Sequence, residues 1–318
     1  MRIKEGRLIF ADLYHAMYRL YFSPDSRATK KEDRLFIVDS TTIGLFTSIM
    51  RGAGGKKRSG KSKGGAKAHM MVDAEHDIPA FIFITESKEN DLTFLKTVTV
   101  PDDATVVMDK AYINHTQFNQ WTKRGVRWVT RLRKGIRLQY LQSNEVTENS
   151  MQMGVLSDDA VLMGRPGNKR KSELAKARLV QYFDHEKQRQ FSFITNDYTS
   201  EPEVIAGIYK RRWQIELIFK RIKQRYPLKY FLGDNANAIK IQIWAALLCD
   251  LLVKIIQKQV NRVKKKAWAY SSISAMIKHH LMTYIKLKEF LLNPDWVLRN
   301  YVHPRPQLML FYNPGAYT

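Results

Sequence analysis

Three carboxylates stand out by residue type and by position. Asp39 closes the apolar run FIVD, Asp109 closes ATVVMD, and Glu216 lies inside VIAGIYKRRWQIELIFKRIKQRY, residues 204–226. Carboxylates at the ends of buried strands in an α/β sheet sit where such sheets build sites. Three hard oxygen ligands, in a chain whose single cysteine is Cys249, suit Mg²⁺ or Mn²⁺ rather than zinc. Phosphodiester chemistry uses such a set with a pair of ions. One activates the attacking hydroxyl or water, the other stabilises the leaving oxygen, and both offset repulsion between a carboxylate-rich site and phosphates.

The element that must present Glu216 is also informative. Residues 204–226 predict one helix, with Pro227 just past its end. At about 100° per residue, Tyr209, Arg212, Glu216 and Lys223 point roughly at 0°, −60°, −20° and −40°. They form one stripe between an apolar face (Ile208, Ile215, Ile218, Phe219, Ile222) and a basic arc (Lys210, Lys220, Arg221). Such a stripe suits an active-site helix that also grips a polyanion. The plainer alternative is an i,i+4 ion pair, Arg212–Glu216, on a solvated face. The helix alone does not separate the two.

Composition favours a polyanionic partner. Lys+Arg 53 against Asp+Glu 30 gives a net charge of +23. Nucleic acid is the simplest match, and an anionic membrane surface is the competitor. No run of 18 uninterrupted apolar residues occurs. The nearest, 241–256, is broken by Gln242, Asp250 and Lys254, and the N-terminus lacks a signal-peptide core. One cysteine excludes an internal disulfide and fits a reducing compartment; Cys249, in an apolar helix, is expected to fill core.

Pattern and punctuation predict helix over 11–21, strands over 34–42, 68–74 and 79–85, and a helix over 87–98 capped by Ser87 or Asn90. Strand 104–112, helix 114–125 stopped by Gly125, and strand 126–133 follow. The glycine- and lysine-rich run 51–67 reads as a basic loop. Residues 134–195 hold short strand-like runs and no helical period. Trp128 and Trp213 are expected to pack, although either has a face on which a base could stack. The divisions are thus an N-terminal helix and connector (1–33), a core in two parts (34–133 and 196–260), a β-rich insertion (134–195) and a basic helical C-terminal region (261–318).

The combination resembles the DDE transposases of the insertion-sequence-four type. Their signature Tyr-x2-Arg-x3-Glu-x6-Lys is matched without a gap by Tyr209, Arg212, Glu216 and Lys223, the first-carboxylate motif by FIVDSTT at Asp39, and the second by DKAY at Asp109, where many relatives have Gly in place of Ala111. KGGAKAHMMVD and FLGDNANA are similar to family segments as well. The resemblance covers roughly residues 30–260. It implies a ribonuclease-H-like mixed sheet with flanking helices, interrupted by the β-rich insertion and followed by a helical C-terminal part. It implies Asp39, Asp109 and Glu216 as catalytic residues holding two Mg²⁺ or Mn²⁺ ions, and Tyr209, Arg212 and Lys223 as contacts to transposon-end DNA. The implied reaction is strand cleavage at element ends and transfer of the freed 3′-hydroxyl into target DNA. The implied partners are double-stranded DNA, ends and target, and a second copy of the chain at the ends, with no membrane. The implied location is the bacterial cytoplasm, on the nucleoid. Family members usually carry a helical DNA-binding region before this core. About thirty residues precede it here, which leaves a truncated copy, a shorter variant or half of an interrupted frame as alternatives. A DNA-binding derivative without catalysis and a basic nucleoid-associated protein are the rival readings.

Overall fold

Leu35 to Val38 are four apolar residues in a row, and all four are buried. A run without alternation fits a strand covered on both faces. In the computed structural model it begins β1 (Leu35–Gly44), one of nine strands in a single mixed sheet. The others are β2 (Gly65–Asp73), β3 (Ile78–Glu86), β4 (Thr105–Met108), β5 (Arg127–Arg131), β6 (Leu138–Asn144), β7 (Val155–Met163), β8 (Ala175–Asp184) and β9 (Arg189–Thr195). The structure describes residues 5–22, 34–44, 65–86, 91–164, 174–226, 228, 231–233, 235–264, 266–280, 283 and 285–300.

The spatial order is β3-β2-β1-β4-β5-β9-β8-β7-β6. β4 runs parallel to β1 and β5 parallel to β4, while β2 is antiparallel to both its neighbours. The first five strands therefore have the ribonuclease-H-like arrangement. β9 joins β5 antiparallel, with Val129 opposite Thr195. Residues 134–195 thus contribute β6 to β9 to the same sheet, and they include a short helix capped by the Thr147 side chain, although no helical period marks it.

Among the described residues the helices are α1 (Glu5–Phe22), α2 (Asp91–Thr97), α3 (His115–Lys123), α4 (Glu148–Gln152), α5 (Pro202–Arg211), α6 (Trp213–Arg225), α7 (Ala236–Val263), α8 (Tyr270–His280), α9 (Leu287–Leu292) and α10 (Pro294–Arg299). Side chains alternate across strands, so Phe36, Val38, Val106 and Met108 share one face. There they join Phe94 and Leu95 of α2, Phe118 and Trp121 of α3, and Trp128 of β5 in one core. Phe118 stacks on Trp128 with ring centroids 4.1 Å apart. α6 packs on β1, and α5 on β4, β5, β8 and β9. α3 stops before Gly125, whose φ of +73° suits glycine and where a side chain would collide with Asp103 Oδ1.

Residues 1–248 form one compact unit and 249–318 another. In the second, Val253, Val260, Ile273 and Leu291 form a core, and Trp268 is bonded to Gln257, Asn261 and the Leu291 carbonyl.

Several expectations are corrected. The single helix over 204–226 is two. At Arg212 the hydrogen bonding tightens to i→i−3, Arg212 N–H to Tyr209 O at 3.0 Å and Ile215 N–H to Arg212 O at 3.3 Å, while the backbone stays in the right-handed helical region. The strand expected over 104–112 ends at Met108, because the Asp109 side chain accepts the Ala111 N–H and starts a 3₁₀ turn, Lys110–Tyr112. Gly65 to Lys67, read as loop, begin β2, and Cys249 is exposed rather than core. The 51–64 part of the basic run, the connector at 23–33 and the caps Ser87 and Asn90 lie outside the described residues.

Candidate active site

The parallel register of β1 and β4 ends with Val38 opposite Met108. Asp39 and Asp109 are the next residues, so they stand side by side where β4 and its pairing with β1 finish; against the expectation that Asp39 ends its strand, β1 runs on to Gly44 because β2 continues to pair with it. Asp39 Oδ1 accepts the Ser40 N–H at 2.8 Å, and Asp109 Oδ1 accepts the Ala111 N–H at 3.0 Å. The third acid comes from the helical pair. Glu216 is in the first turn of α6, and the residue before that helix, Arg212, carries the link. Its Nη1 donates to Asp39 Oδ2 at 2.7 Å and its Nη2 to Glu216 Oε1 at 2.8 Å. Asp39 and Glu216 are thus held on two arms of one planar guanidinium.

The i,i+4 pair expected from spacing exists, with Glu216 open to solvent and Arg212 largely covered. The Arg212 side chain is 15% exposed and its longer link reaches a residue 173 positions away. Its Nε is buried without a hydrogen-bond partner.

Burial pushes the Asp39 carboxyl up to about 6. The Ser40 N–H and the Arg212 charge pull it down, whereas Asp109 and Glu216 push it further up, so Asp39 feels both other acids. The guanidinium bonds two of the three carboxylates, Asp39 and Glu216. An oxygen-only donor set with one carboxyl held back from ionising fits a hard divalent cation, the charge the set lacks. Among the described residues, the group whose ligand atoms already crowd within 4.8 Å is a different one, Asp73, Glu75 and His76. Asp73 is committed to the β2–β3 turn, where its Oδ1 accepts the Glu75 and His76 N–H groups.

Tyr209 lies against Phe193 with ring centroids 4.9 Å apart, and the Arg212 Cζ sits 5.9 Å from its ring centre. Burial raises its phenol above the ordinary value; Arg212 and Arg131 oppose the rise and Asp109 adds to it. Beside it opens a cavity of about 360 Å³ lined by Arg131, Arg189, Phe191, Lys210 and Trp213 among others. Trp213 is 58% exposed, against the expectation that it packs, whereas Trp128 is fully buried. Lys223 shares the stripe but stands seven residues beyond Glu216, about 10 Å along the axis. Burial lowers its amine below the ordinary value. The structure therefore brings Asp39, Asp109, Tyr209, Arg212 and Glu216 together and leaves Lys223 two turns away. What spacing could not reveal is the Asp39–Arg212 bond, since nothing local in sequence marks it.

A mixed sheet with one acid within β1, a second just past the neighbouring end of β4 and a third on α6 defines the class of fold. The transposase DDE domain model matches residues 30–252, more than half of the chain, which therefore belongs to that family. The chain is 29% identical over 240 residues to a Sinorhizobium fredii protein bearing the name transposase y4zB, covering 74% of this chain and 65% of that one. It is 24% identical over 264 residues to a transposase named for insertion sequence element IS5377 of Geobacillus stearothermophilus, covering 81% and 67%. A transposase named for element IS4SA of Synechocystis is 25% identical over 235 residues, covering 71% and 61%. The chain spans about two thirds of the length of these curated relatives. A solved structure of the piggyBac transposase synaptic complex with hairpin DNA is similar at a TM-score of 0.47 and 9% identity, covering 82% of this chain and 54% of that one. Among the described residues no helix is long and apolar enough to cross a membrane.

Proposed function

We propose that the chain is a DNA transposase of the insertion-sequence-four type, cutting strands at element ends and joining the freed 3′-hydroxyl to target DNA, and acting as a dimer on the ends. The observation that carries this reading is the meeting of Asp39, Asp109 and the Arg212–Glu216 pair where the parallel pairing of β1 and β4 ends. Asp39, Asp109 and Glu216 would hold two Mg²⁺ or Mn²⁺ ions, which supply Lewis-acid activation of the attacking and leaving oxygens when bound. Arg212 orients Asp39 and Glu216 in their absence and offers its charge to a phosphate once those acids have another cation. Tyr209 seats the guanidinium from one side, and Lys223 extends the cationic line along α6 toward the DNA backbone.

The direct test is Mg²⁺-dependent cleavage of a duplex taken from the DNA that flanks the coding sequence. Binding without cleavage would favour the catalytically inactive derivative. With a net charge of +23, affinity for that duplex should fall with salt at a log–log slope of several units, about −0.9 per phosphate contacted. A flat response, measured by fluorescence anisotropy, would assign the charge to another purpose.

Acidity supplies a further expectation. Asp39 titrates at about 6, and a cation needs its ionised form. Below that pH protonation removes the charge, so Mn²⁺ affinity should fall about tenfold per pH unit and level off above it. A titration with no break between about pH 5 and 7 would remove Asp39 from the ligand set.

A further inference from the structure

Beside the three acids, four side chains converge on one oxygen of Asp91, the first residue of α2. Its Oδ1 accepts the Ser40 hydroxyl at 3.1 Å and the Tyr112 hydroxyl at 3.5 Å. Lys67 Nζ lies 2.6 Å from the same atom and His69 Nδ1 3.5 Å. The His69 Nδ1 makes no hydrogen bond. A helix N-terminus favours an acid there, but that preference does not call for polar groups from three other segments. Lys67 and His69 come from β2, Ser40 from β1, and Tyr112 from the 3₁₀ turn after β4.

Two of these donors are the ones next to the site. Ser40 gives its N–H to Asp39 Oδ1 and its hydroxyl to Asp91. Tyr112 gives its N–H to the Asp109 carbonyl at 3.0 Å and its hydroxyl to Asp91. Asp39, through its carboxylate, and Asp109, through its backbone carbonyl, are therefore each linked to the same Asp91 oxygen by one intervening residue. Lys67 balances the charge at that oxygen, with the two side chains 15% and 22% exposed. α2 is anchored separately through the buried Phe94 and Leu95, so the Asp91 carboxylate is not needed to hold the helix on the sheet.

We propose that Asp91 is a positioning residue: by gathering Ser40 and Tyr112 on one oxygen it sets the spacing of the Asp39 and Asp109 carboxylates. The inference rests on the reading of those two acids as cation ligands. Groups behind metal ligands govern affinity and activity by holding the ligands in place.

The test uses the full chain and Mn²⁺ as probe, with bound ion read from loss of the free-ion electron paramagnetic resonance signal in the absence of DNA. Asp91→Ala should weaken Mn²⁺ binding by about 10–100-fold and slow strand cleavage by a similar factor, with affinity for end DNA unchanged. The double variant Ser40→Ala, Tyr112→Phe should reproduce the loss, and adding Asp91→Ala to it should add little, the signature of a shared pathway. Parent-like Mn²⁺ affinity in Asp91→Ala overturns the proposal. If Asp91→Ala does not fold, parent-like affinity in the double variant overturns it equally. Asp39→Asn is the control: if it binds Mn²⁺ as the parent does, the ligand assignment itself has failed. If it loses binding while Asp91→Ala keeps it, only the role given to Asp91 has failed.

Discussion

Glu216→Gln is expected to slow strand cleavage by about a thousandfold or more while end-DNA binding stays near the parent level. The substitution keeps the side-chain length and an oxygen that can accept from Arg212 Nη2, now at 2.8 Å, so α6 and the Arg212 seat should persist. What it removes is the negative charge. Cation-based charge stabilisation contributes several kcal/mol to such reactions, and each 1.36 kcal/mol is about tenfold in rate. If the pair with Arg212 were all that Glu216 provides, the cost would be about 0.3–0.5 kcal/mol of stability and cleavage would not change. The pair is present, so its existence does not discriminate; rate against binding does. A Glu216→Gln protein that cuts as fast as the parent would remove Glu216 from the site and with it the main support for the proposed reaction. Single-turnover cleavage with binding measured in parallel provides both numbers.

Arg178→Met is expected to be the most damaging single change outside the site. Arg178 on β8 is buried, and its Nε and Nη2 each donate to an Asp158 oxygen at 2.8 Å. Its Nη1 donates to the carbonyls of Asp197 and Ser200, at 3.0 and 2.6 Å. Those carbonyls belong to the loop that leads into α5, so this one side chain ties β7 and β8 to the start of the helical pair that presents Tyr209, Arg212 and Glu216. Methionine fills much of the volume but leaves the Asp158 carboxylate buried without its partner. Breaking a buried pair from one side costs about 3–5 kcal/mol, a fall in Tm of about 10 °C. The double change Arg178→Met, Asp158→Leu removes both charges and should recover part of the loss. A Tm within about 2 °C of the parent for Arg178→Met would show the loop to be held by other means, such as the Asp197 side chain, which accepts from Thr199 and Ser200.

The sequence by itself determined which acids follow the buried apolar runs and which face of the helix is polar. The runs ending at Asp39 and Asp109 and the stripe through Tyr209, Arg212, Glu216 and Lys223 are local patterns, and the periods of strand and helix translate them directly into position. The tertiary structure alone decided who meets whom. Asp39 and Asp109 are neighbours because β1 and β4 pair in parallel, and Arg212 joins Asp39 to Glu216 across a gap in sequence that no local period spans. The same cause accounts for the misreadings. Lys67 looked like part of a basic loop, but it lies in β2 and pairs with Asp91 of α2. Trp213 looked like core by residue type, but the turn at Arg212 leaves it beside an open cavity. The strands of 134–195 were legible as a β-rich insertion, but that they would extend the same sheet, through β9 on the edge of β5, was not. Backbone periodicity is set by neighbours in sequence; pairing, counter-charge and exposure are set by neighbours in space, and those exist only once the sheet has formed.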